Sequence, residues 1–367
     1  MGVLTGPRLD GSRLTRALYS YDASLYRVVP RAVAQPRDVA ELVELLDRAR
    51  AEGVPVPLRG AGTSCAGNAV GPGYLLDTSR HLTAIAGLDP AAGTATVEPG
   101  VVQAQLQRTA APHGLRFGPD PSTHNRCTIG GMIGNNACGP RALGYGRTAD
   151  NLVALDVITG TGERLRLDTR RDLRSIDSPT LRRLHEVVMA NLGVIRTEFG
   201  RFPRQVSGYS LEHLLPENGF DVTAFLAGSE GTLAAVTGAE VRLVRAPTHT
   251  VVVALGYASM AEAADAVPAL LGHRPVALEG LDSRIVEVAR RKRPVPDLPA
   301  GRGWLFAELA GDDPDGLRAA GRALLADAGA RDGRVVDDPA QAAALWRIRA
   351  DGAGLAETSL ARPAYAG

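Results

Sequence analysis

Between Pro119 and Asn151 the chain reads PDPSTHNRCTIGGMIGNNACGPRALGYGRTADN, set between two segments that read as buried strands. Glycines at 130, 131, 134, 139, 144 and 146 punctuate it, with Ser122, Thr123, Asn135 and Asn136 among them. Such a stretch offers backbone amides and small hydroxyls in place of apolar area, so it is expected to lie outside the core. Glycine lets a backbone approach a guest closely and take positive φ. A surface of exposed N–H groups suits an anion, most often a phosphate.

A second glycine-rich run, Arg59-Gly-Ala-Gly-Thr-Ser-Cys-Ala-Gly-Asn68, follows the short strand VPVPL. A Rossmann dinucleotide turn needs GxGxxG opening at once into a helix whose N-terminus receives the pyrophosphate. The next element here, YLLDTS, reads as another strand, so that reading fails. A strand–loop–strand with free amides can hold a pyrophosphate without a helix dipole. Taken alone, a plain glycine-rich turn explains the run more readily. A third run, Gly228-Ser-Glu-Gly-Thr232, has the same character.

Cysteine and histidine add no second chemistry. Three cysteines, Cys65, Cys127 and Cys138, do not make a disulfide framework, which prefers an even set. Without CxxC the chain carries no iron–sulfur cluster of its own. His124 and Cys127 are three apart, but no second pair completes four ligands, so no metal is expected.

The elements that must position these loops follow from pattern. Residues 38–53 form an amphipathic helix with Val39, Leu42, Val43, Leu45 and Leu46 on one side, and Gly53 ends it. Residues 81–100 read as a β-hairpin turning at 89–93, and 101–113 as a helix. NLVALDVITG and ERLRLD are two further strands, 181–192 a helix, VTAFLAG a strand, and LAAVTGAEVRLV a strand closing a first domain near Val244. Ala246-Pro247-Thr248 marks a boundary. Beyond it strands (THTVVVALGYA, PVALEGLD, GWLFAELAG) alternate with helices (AEAADAVPALLG, IVEVARRK, GLRAAGRALLADAG), as in a second α+β domain.

At 367 residues the chain has room for about two domains. Its net charge of +1 gives no reason to expect nucleic acid or an anionic membrane as partner. Its first twenty residues have no apolar core of a secretory signal, and no run reaches the roughly 18 apolar residues of a membrane span. A soluble, cytoplasmic protein is expected. Arg290–Arg293 reads as a solvated helix end.

Taken together, PLRGAGTSCAGNAVG, PDPSTHNRCTIGGMIGNNACG with its tail YGRTADNL, VSGYSLEHLLPENGF and AGSEGTL resemble the FAD-binding oxidoreductases of the vanillyl-alcohol oxidase (PCMH-type) superfamily. Within it they are most similar to the FAD-linked D-lactate, glycolate and D-2-hydroxyglutarate dehydrogenases. The resemblance implies an α+β chain: a two-lobed FAD-binding domain over residues 1–245, then a partial α+β cap domain over 246–367. It places the pyrophosphate on Arg59, Gly60, Ala61, Gly62, Thr63, Ser64, Gly67 and Asn68. Pro119, Asp120, Ser122 and Thr123, with Gly130, Gly131, Gly134, Asn135, Asn136 and Gly139, would follow the ribityl chain and isoalloxazine. Gly228, Glu230 and Gly231, with Val236, would meet the ribose and adenine.

Family members with covalently attached flavin often carry a histidine four residues after the loop's arginine. That position is Thr63 here, which implies non-covalent FAD. The implied reaction passes hydride from the α-carbon of a 2-hydroxy acid to the flavin, and the protein supplies orientation and electrostatics. Trp346-Arg-Ile-Arg349 matches the family's W-x-x-R segment, making Arg349 the candidate carboxylate clamp, since arginine pairs bidentately with carboxylates. A surface arginine on an amphipathic helix is the plain alternative. The family's HGxxGDGNxH-like histidine segment is not found in this sequence, nor is the C-terminal iron–sulfur domain of larger relatives. Three readings therefore follow: a 2-hydroxy-acid dehydrogenase, served by a separate iron–sulfur or electron-transfer protein; an FAD-binding chain that is non-catalytic or needs a partner; and an NADPH-dependent flavin reductase on the same fold.

Overall fold

The computed structural model describes residues 8–202, 207–292 and 294–355. The chain divides into two compact units. The first holds residues up to Gly118, Thr123–Ala137 and Arg147–Val244; the second holds Pro119–Ser122, Cys138–Gly146 and the chain from Arg245 onward.

In chain order the strands are β1 (Ala32–Ala34), β2 (Leu58–Arg59), β3 (Tyr74–Asp77), β4 (Ile85–Asp89), β5 (Thr94–Val97), β6 (Leu115–Phe117), β7 (Leu152–Thr159), β8 (Arg164–Asp168), β9 (Ala234–Arg245), β10 (His249–Tyr257), β11 (Ala277–Asp282), β12 (Gly303–Gly311) and β13 (Asp332–Val336). The helices are α1 (Arg13–Leu18), α2 (Val39–Glu52), α3 (Gln103–Ala110), α4 (Ile129–Asn135), α5 (Ala142–Tyr145), α6 (Pro179–Ala190), α7 (Leu192–Glu198), α8 (Val222–Leu226), α9 (Met260–Leu271), α10 (Ser283–Lys292), α11 (Pro314–Asp327) and α12 (Pro339–Leu355).

The first unit has two sheets. A small parallel one runs β1-β3-β2 with Ala32 opposite Tyr74 and Leu58 opposite Leu76. Helix α2 lays Leu42, Leu45 and Ala49 on it, all at most 1% exposed. The helix starts where the Asp38 carboxylate accepts from the Glu41 amide at 2.8 Å and stops at Gly53, φ 64°. The larger sheet runs β4-β5-β9-β7-β8, with β6 on β9. Its core takes in Leu106, Phe117, Leu155 and Val241, each fully buried.

In the second unit an antiparallel sheet runs β11-β12-β10-β13. Alternation along its strands divides its apolar residues between two clusters. Val253, Leu255, Leu305 and Leu309 pack with residues of α9 and α11, and Val252, Ala254, Trp304 and Phe306 with residues of α10 and α12. Among the described residues no helix is long and apolar enough to cross a membrane.

Two expectations are corrected. The stretch from Pro119 is not wholly outside the core: α4 buries Ile129, Met132 and Ile133 at 0–1% exposure. Its glycines cost about 1 kcal/mol each in a helix, but burying each large apolar side chain returns about 1.5–3 kcal/mol, so packing wins. The run VTAFLAG is a helix, not a strand. Asp221 caps α8 by accepting from the Ala224 amide at 2.9 Å, and all five residues of the turn are buried. Tertiary burial on every side overrides the β propensity of Val, Thr and Phe.

Candidate FAD site

Strand β2 ends at Arg59, and the chain then turns through residues 60–68 before β3. Arg59 holds this loop by its own side chain: Nη1 donates to Tyr21 O at 2.9 Å and to Ala69 O at 3.1 Å. Its guanidinium carbon lies 5.3 Å from the Tyr19 ring centroid. Within the loop Ser64 Oγ donates to Asn68 Oδ1 at 2.5 Å and accepts from the Ala66 amide at 3.2 Å. Among the described residues, no protein acceptor meets the amides of residues 60–65 or 67.

Glycine is required in this loop. A Cβ on Gly60 would stand 2.1 Å from Thr128 Oγ1, and Gly62 has φ 66° with Arg59 Nη2 at 2.4 Å from its Cβ position. Thr128 is also the N-cap of α4, accepting from the Gly131 amide at 3.3 Å. The loop and α4 therefore meet at one hydroxyl.

The third run closes on the same place. Gly228 N donates to Ile133 O at 2.9 Å and Glu230 N to Gly134 O at 2.8 Å. Glu230 takes φ 55°, unusual for a residue with a side chain, and its carboxylate accepts from the Asn68 amide group. Partial burial raises the Glu230 pKa above the ordinary range. So residues 59–68, 128–136 and 228–232 converge in the first unit, Asn68 and Glu230 meeting across 162 positions of sequence.

The other predicted residues have varied surroundings. Asn136 caps α4 at φ 50° and its Oδ1 accepts from the Ala149 amide at 3.0 Å, so its side chain serves the fold. Gly130 packs on Pro99, whose Cβ would be 2.7 Å from an added Cβ. Gly131 and Asn135 are exposed, Gly134 and Thr123 half-buried. Val236 pairs with Val157 across β9 and β7. Cys127 is buried, which pushes its thiol up to about 11 and keeps it an inert apolar group. A cleft of about 210 Å³ opens beside Gly231, floored by Leu46, Val56, Leu58 and Ile158.

Pro119, Asp120, Ser122, Gly139 and Arg349 belong to the second unit. Gly139 takes φ 120°, and a Cβ there would meet the Asp120 carbonyl carbon at 2.4 Å. Asp120 accepts from Arg141 Nη1 at 2.5 Å. Arg349 on α12 donates through Nε to Glu279 on β11 at 2.9 Å. Trp346, the first residue of the W-x-x-R segment, lies by Arg141; Arg141, Glu308 and Glu279 were not singled out by sequence. The available signal was a lone carboxylate, Glu308, inside the apolar strand GWLFAELAG.

Chemically, the first-unit assembly offers a row of unengaged amides next to one carboxylate. Amides are donors and fit phosphate oxygens; a carboxylate is an acceptor and fits sugar hydroxyls. A phosphate–sugar ligand satisfies both, so the residues present fit a dinucleotide.

Residues 30–168 match the family described as "FAD binding domain", and residues 246–365 the "FAD linked oxidases, C-terminal domain". A D-2-hydroxyglutarate dehydrogenase of Pseudomonas putida is 31% identical over 340 residues, which cover 87% of this chain and 34% of that protein. The glycolate oxidase subunit GlcD of Bacillus subtilis is 34% identical over 285 residues, 76% of this chain and 52% of that one. A D-lactate dehydrogenase of Archaeoglobus fulgidus is 31% identical over 298 residues, covering 79% of this chain and 56% of that protein. The chain thus spans about a third to a little over half of the length of these relatives. Among solved structures, an alkyldihydroxyacetonephosphate synthase superposes with TM-score 0.66 at 16% identity, over 94% of this chain and 60% of that one, a likeness of fold alone. The two domains in this order, with three hydroxy-acid enzymes among the relatives, place the chain in the PCMH-type FAD-linked oxidase family, whose cofactor is FAD.

Proposed function

We propose that the chain holds FAD non-covalently and oxidises a small 2-hydroxy acid of the D-lactate, glycolate or D-2-hydroxyglutarate type. The observation that carries the first half is the convergence of residues 59–68, 128–136 and 228–232 around unengaged amides. Residues 60–65 and 67 donate to the pyrophosphate, Glu230 accepts from a ribose hydroxyl, and Thr123 to Asn135 run beside the ribityl chain and ring. Thr63 has no nucleophilic nitrogen for flavin attachment, which supports dissociable cofactor.

FAD held by these residues would supply the hydride acceptor for the α-carbon of the hydroxy acid. The chain's part is to bind and orient. Arg349 serves as carboxylate clamp: its Nε is engaged by Glu279, while the Nη groups keep donors for a substrate carboxylate. The names of the relatives support the hydroxy-acid class.

A second reading, in which turnover needs a further polypeptide, is favoured by the histidines. In the second unit His249 is exposed at the start of β10 and His273 pairs with Asp327 at 2.9 Å. Among the described residues of the second unit, neither histidine shares a hydrogen bond or ion pair with Arg349, whose Nε is held by Glu279.

Anaerobic addition of each acid to the FAD-loaded chain decides between them. Bleaching of the flavin by one of the three acids is expected from the first reading. Yellow protein that none of the three bleaches supports the second, and protein that takes up no FAD ends both.

A further inference from the structure

The second unit contains a compact knot of buried charge, its Glu308 two residue pairs along the β11–β12 ladder from Glu279, the partner of Arg349. Arg141 donates through Nε to Glu308 Oε1 and through Nη2 to Glu308 Oε2, both at 2.7 Å, a bidentate fork. Its Nη1 reaches Asp120 Oδ2 at 2.5 Å, and its amide reaches Asp120 Oδ1 at 3.2 Å. Glu308 is 2% exposed and Asp120 11%. The Trp346 ring lies 5.6 Å from the guanidinium carbon and packs edge-on to Phe306. Burial opposes the arginine's charge, yet Glu308 first and Asp120 second hold its pKa above the ordinary arginine value. With its guanidinium shared between Glu308 and Asp120, Arg141 is committed to the protein and is poorly suited to catch an anionic substrate.

The path of the chain shows what this knot fixes. Asp120 lies in the piece Pro119–Ser122 and Arg141 in the piece Cys138–Gly146, both of the second unit. Between them in sequence runs Thr123–Ala137, which belongs to the first unit and carries α4 with its glycines. Glu308 is in β12, the strand paired with both β10 and β11. Two further contacts hold the second piece, one to the residue before β11 and one to the first piece. Gly144 N donates to Val276 O at 3.0 Å, and Gly139 passes so close to Asp120 that no side chain fits.

The geometry points to Arg141 as a positioning residue of the FAD site: by joining Asp120 to Glu308 it fixes both ends of the Thr123–Ala137 segment. This inference rests on the reading that Thr123–Ala137 runs beside the flavin. It assigns to Arg141 neither contact with substrate nor a proton.

Arg141→Lys keeps the charge and loses the planar fork. In the full-length chain it is expected to weaken FAD binding about tenfold or more, equivalent to about 1.4 kcal/mol, and to shift the visible band of the bound flavin. Arg170→Lys is the control, because Arg170 makes a comparable fork to Asp168 and Glu240 on β8 and β9. It is expected to lower the melting temperature while leaving affinity and band unchanged. If Arg141→Lys does not fold, Glu308→Gln takes its place, since glutamine keeps the shape and one acceptor; the same two changes are expected. An Arg141→Lys or Glu308→Gln protein that binds FAD within twofold of the parent, with the same band, overturns the inference and leaves the FAD reading intact. A parent chain that takes up no FAD overturns that reading itself.

Discussion

At the scale of single residues, charge placement dominates, and Asp168 gives a case with a sign that can be worked through. The fork from Arg170 holds its carboxyl well below the usual range, at about 2. A depressed carboxylate stabilises the fold above its unfolded value of roughly 3.9. That contribution is lost as pH falls through about 4 toward 2. Lowering the carboxyl from roughly 3.9 to about 2 corresponds to roughly 2.5 kcal/mol, but Arg170 is 55% exposed, and solvent screening reduces the figure to about 1–2 kcal/mol. Asp168→Asn is therefore expected to lose about that much stability in urea unfolding at pH 7, and the gap from the parent to narrow below about pH 4 and close only as pH falls past about 2. A gap that stays constant from pH 7 to pH 2.5 would show that the ion pair is not its source. Asn68 makes a second, independent prediction. Its amide donates to the partly buried Glu230, so Asn68→Asp sets two carboxylates against each other. FAD affinity of that variant should fall more than tenfold as pH rises from about 4 to 7, because like charges at contact cannot both ionise cheaply; titration by fluorescence quenching reads it. Identity of the variant and parent affinity profiles over that range would count against the assigned contact.

At the scale of elements, the junction of the loop after β2 with α4 is the point most sensitive to mutation. Thr128 caps α4, and Thr128→Ala should cost about 1 kcal/mol. Gly60→Ala drives a Cβ to 2.1 Å from Thr128 Oγ1 and should cost about 1–3 kcal/mol by overpacking. In Gly60→Ala/Thr128→Ala the offending hydroxyl is gone and the nearest remaining side-chain atom is the Cβ at 3.3 Å. The double variant should then be less destabilised than the sum by about 1 kcal/mol, a coupling of the size seen between contacting residues. Strict additivity in chemical denaturation would show that the loop and the helix do not touch there. The same junction explains what sequence could and could not tell. The periodicity of α2, its Asp38 cap and its Gly53 stop were local and legible. Helix α4 was hidden because glycine-rich composition is a local signal for a loop, whereas its helicity comes from burial of Ile129, Met132 and Ile133. Helix α8 was hidden for the converse reason, a strand-like run buried all round. Arg141 and Glu308 were missed because their partnership spans 167 positions and leaves no periodic trace.

At the scale of the whole molecule, the candidate site depends on segments that are remote in sequence and individually unremarkable in composition. The motifs were legible as types of residue; their convergence required the sheet order β4-β5-β9-β7-β8, which brings the β9 entry loop to α4. A ligand that binds only this folded arrangement stabilises it by mass action, by about 2.7 kcal/mol at a hundredfold excess over its dissociation constant. For units of this size that corresponds to a rise of roughly 5–10 °C in melting temperature. FAD at saturation should produce it, and riboflavin, which lacks both phosphates, should not, because the unengaged amides of residues 60–65 and 67 have nothing to donate to. With Thr63 where a covalent attachment would need a histidine, the cofactor should also come away: after acid precipitation the flavin colour is expected in the supernatant and none in the pellet. Flavin that stays in the pellet would mean a covalent bond at some other residue. Equal stabilisation by riboflavin would mean that the loop after β2 is a turn and holds no pyrophosphate.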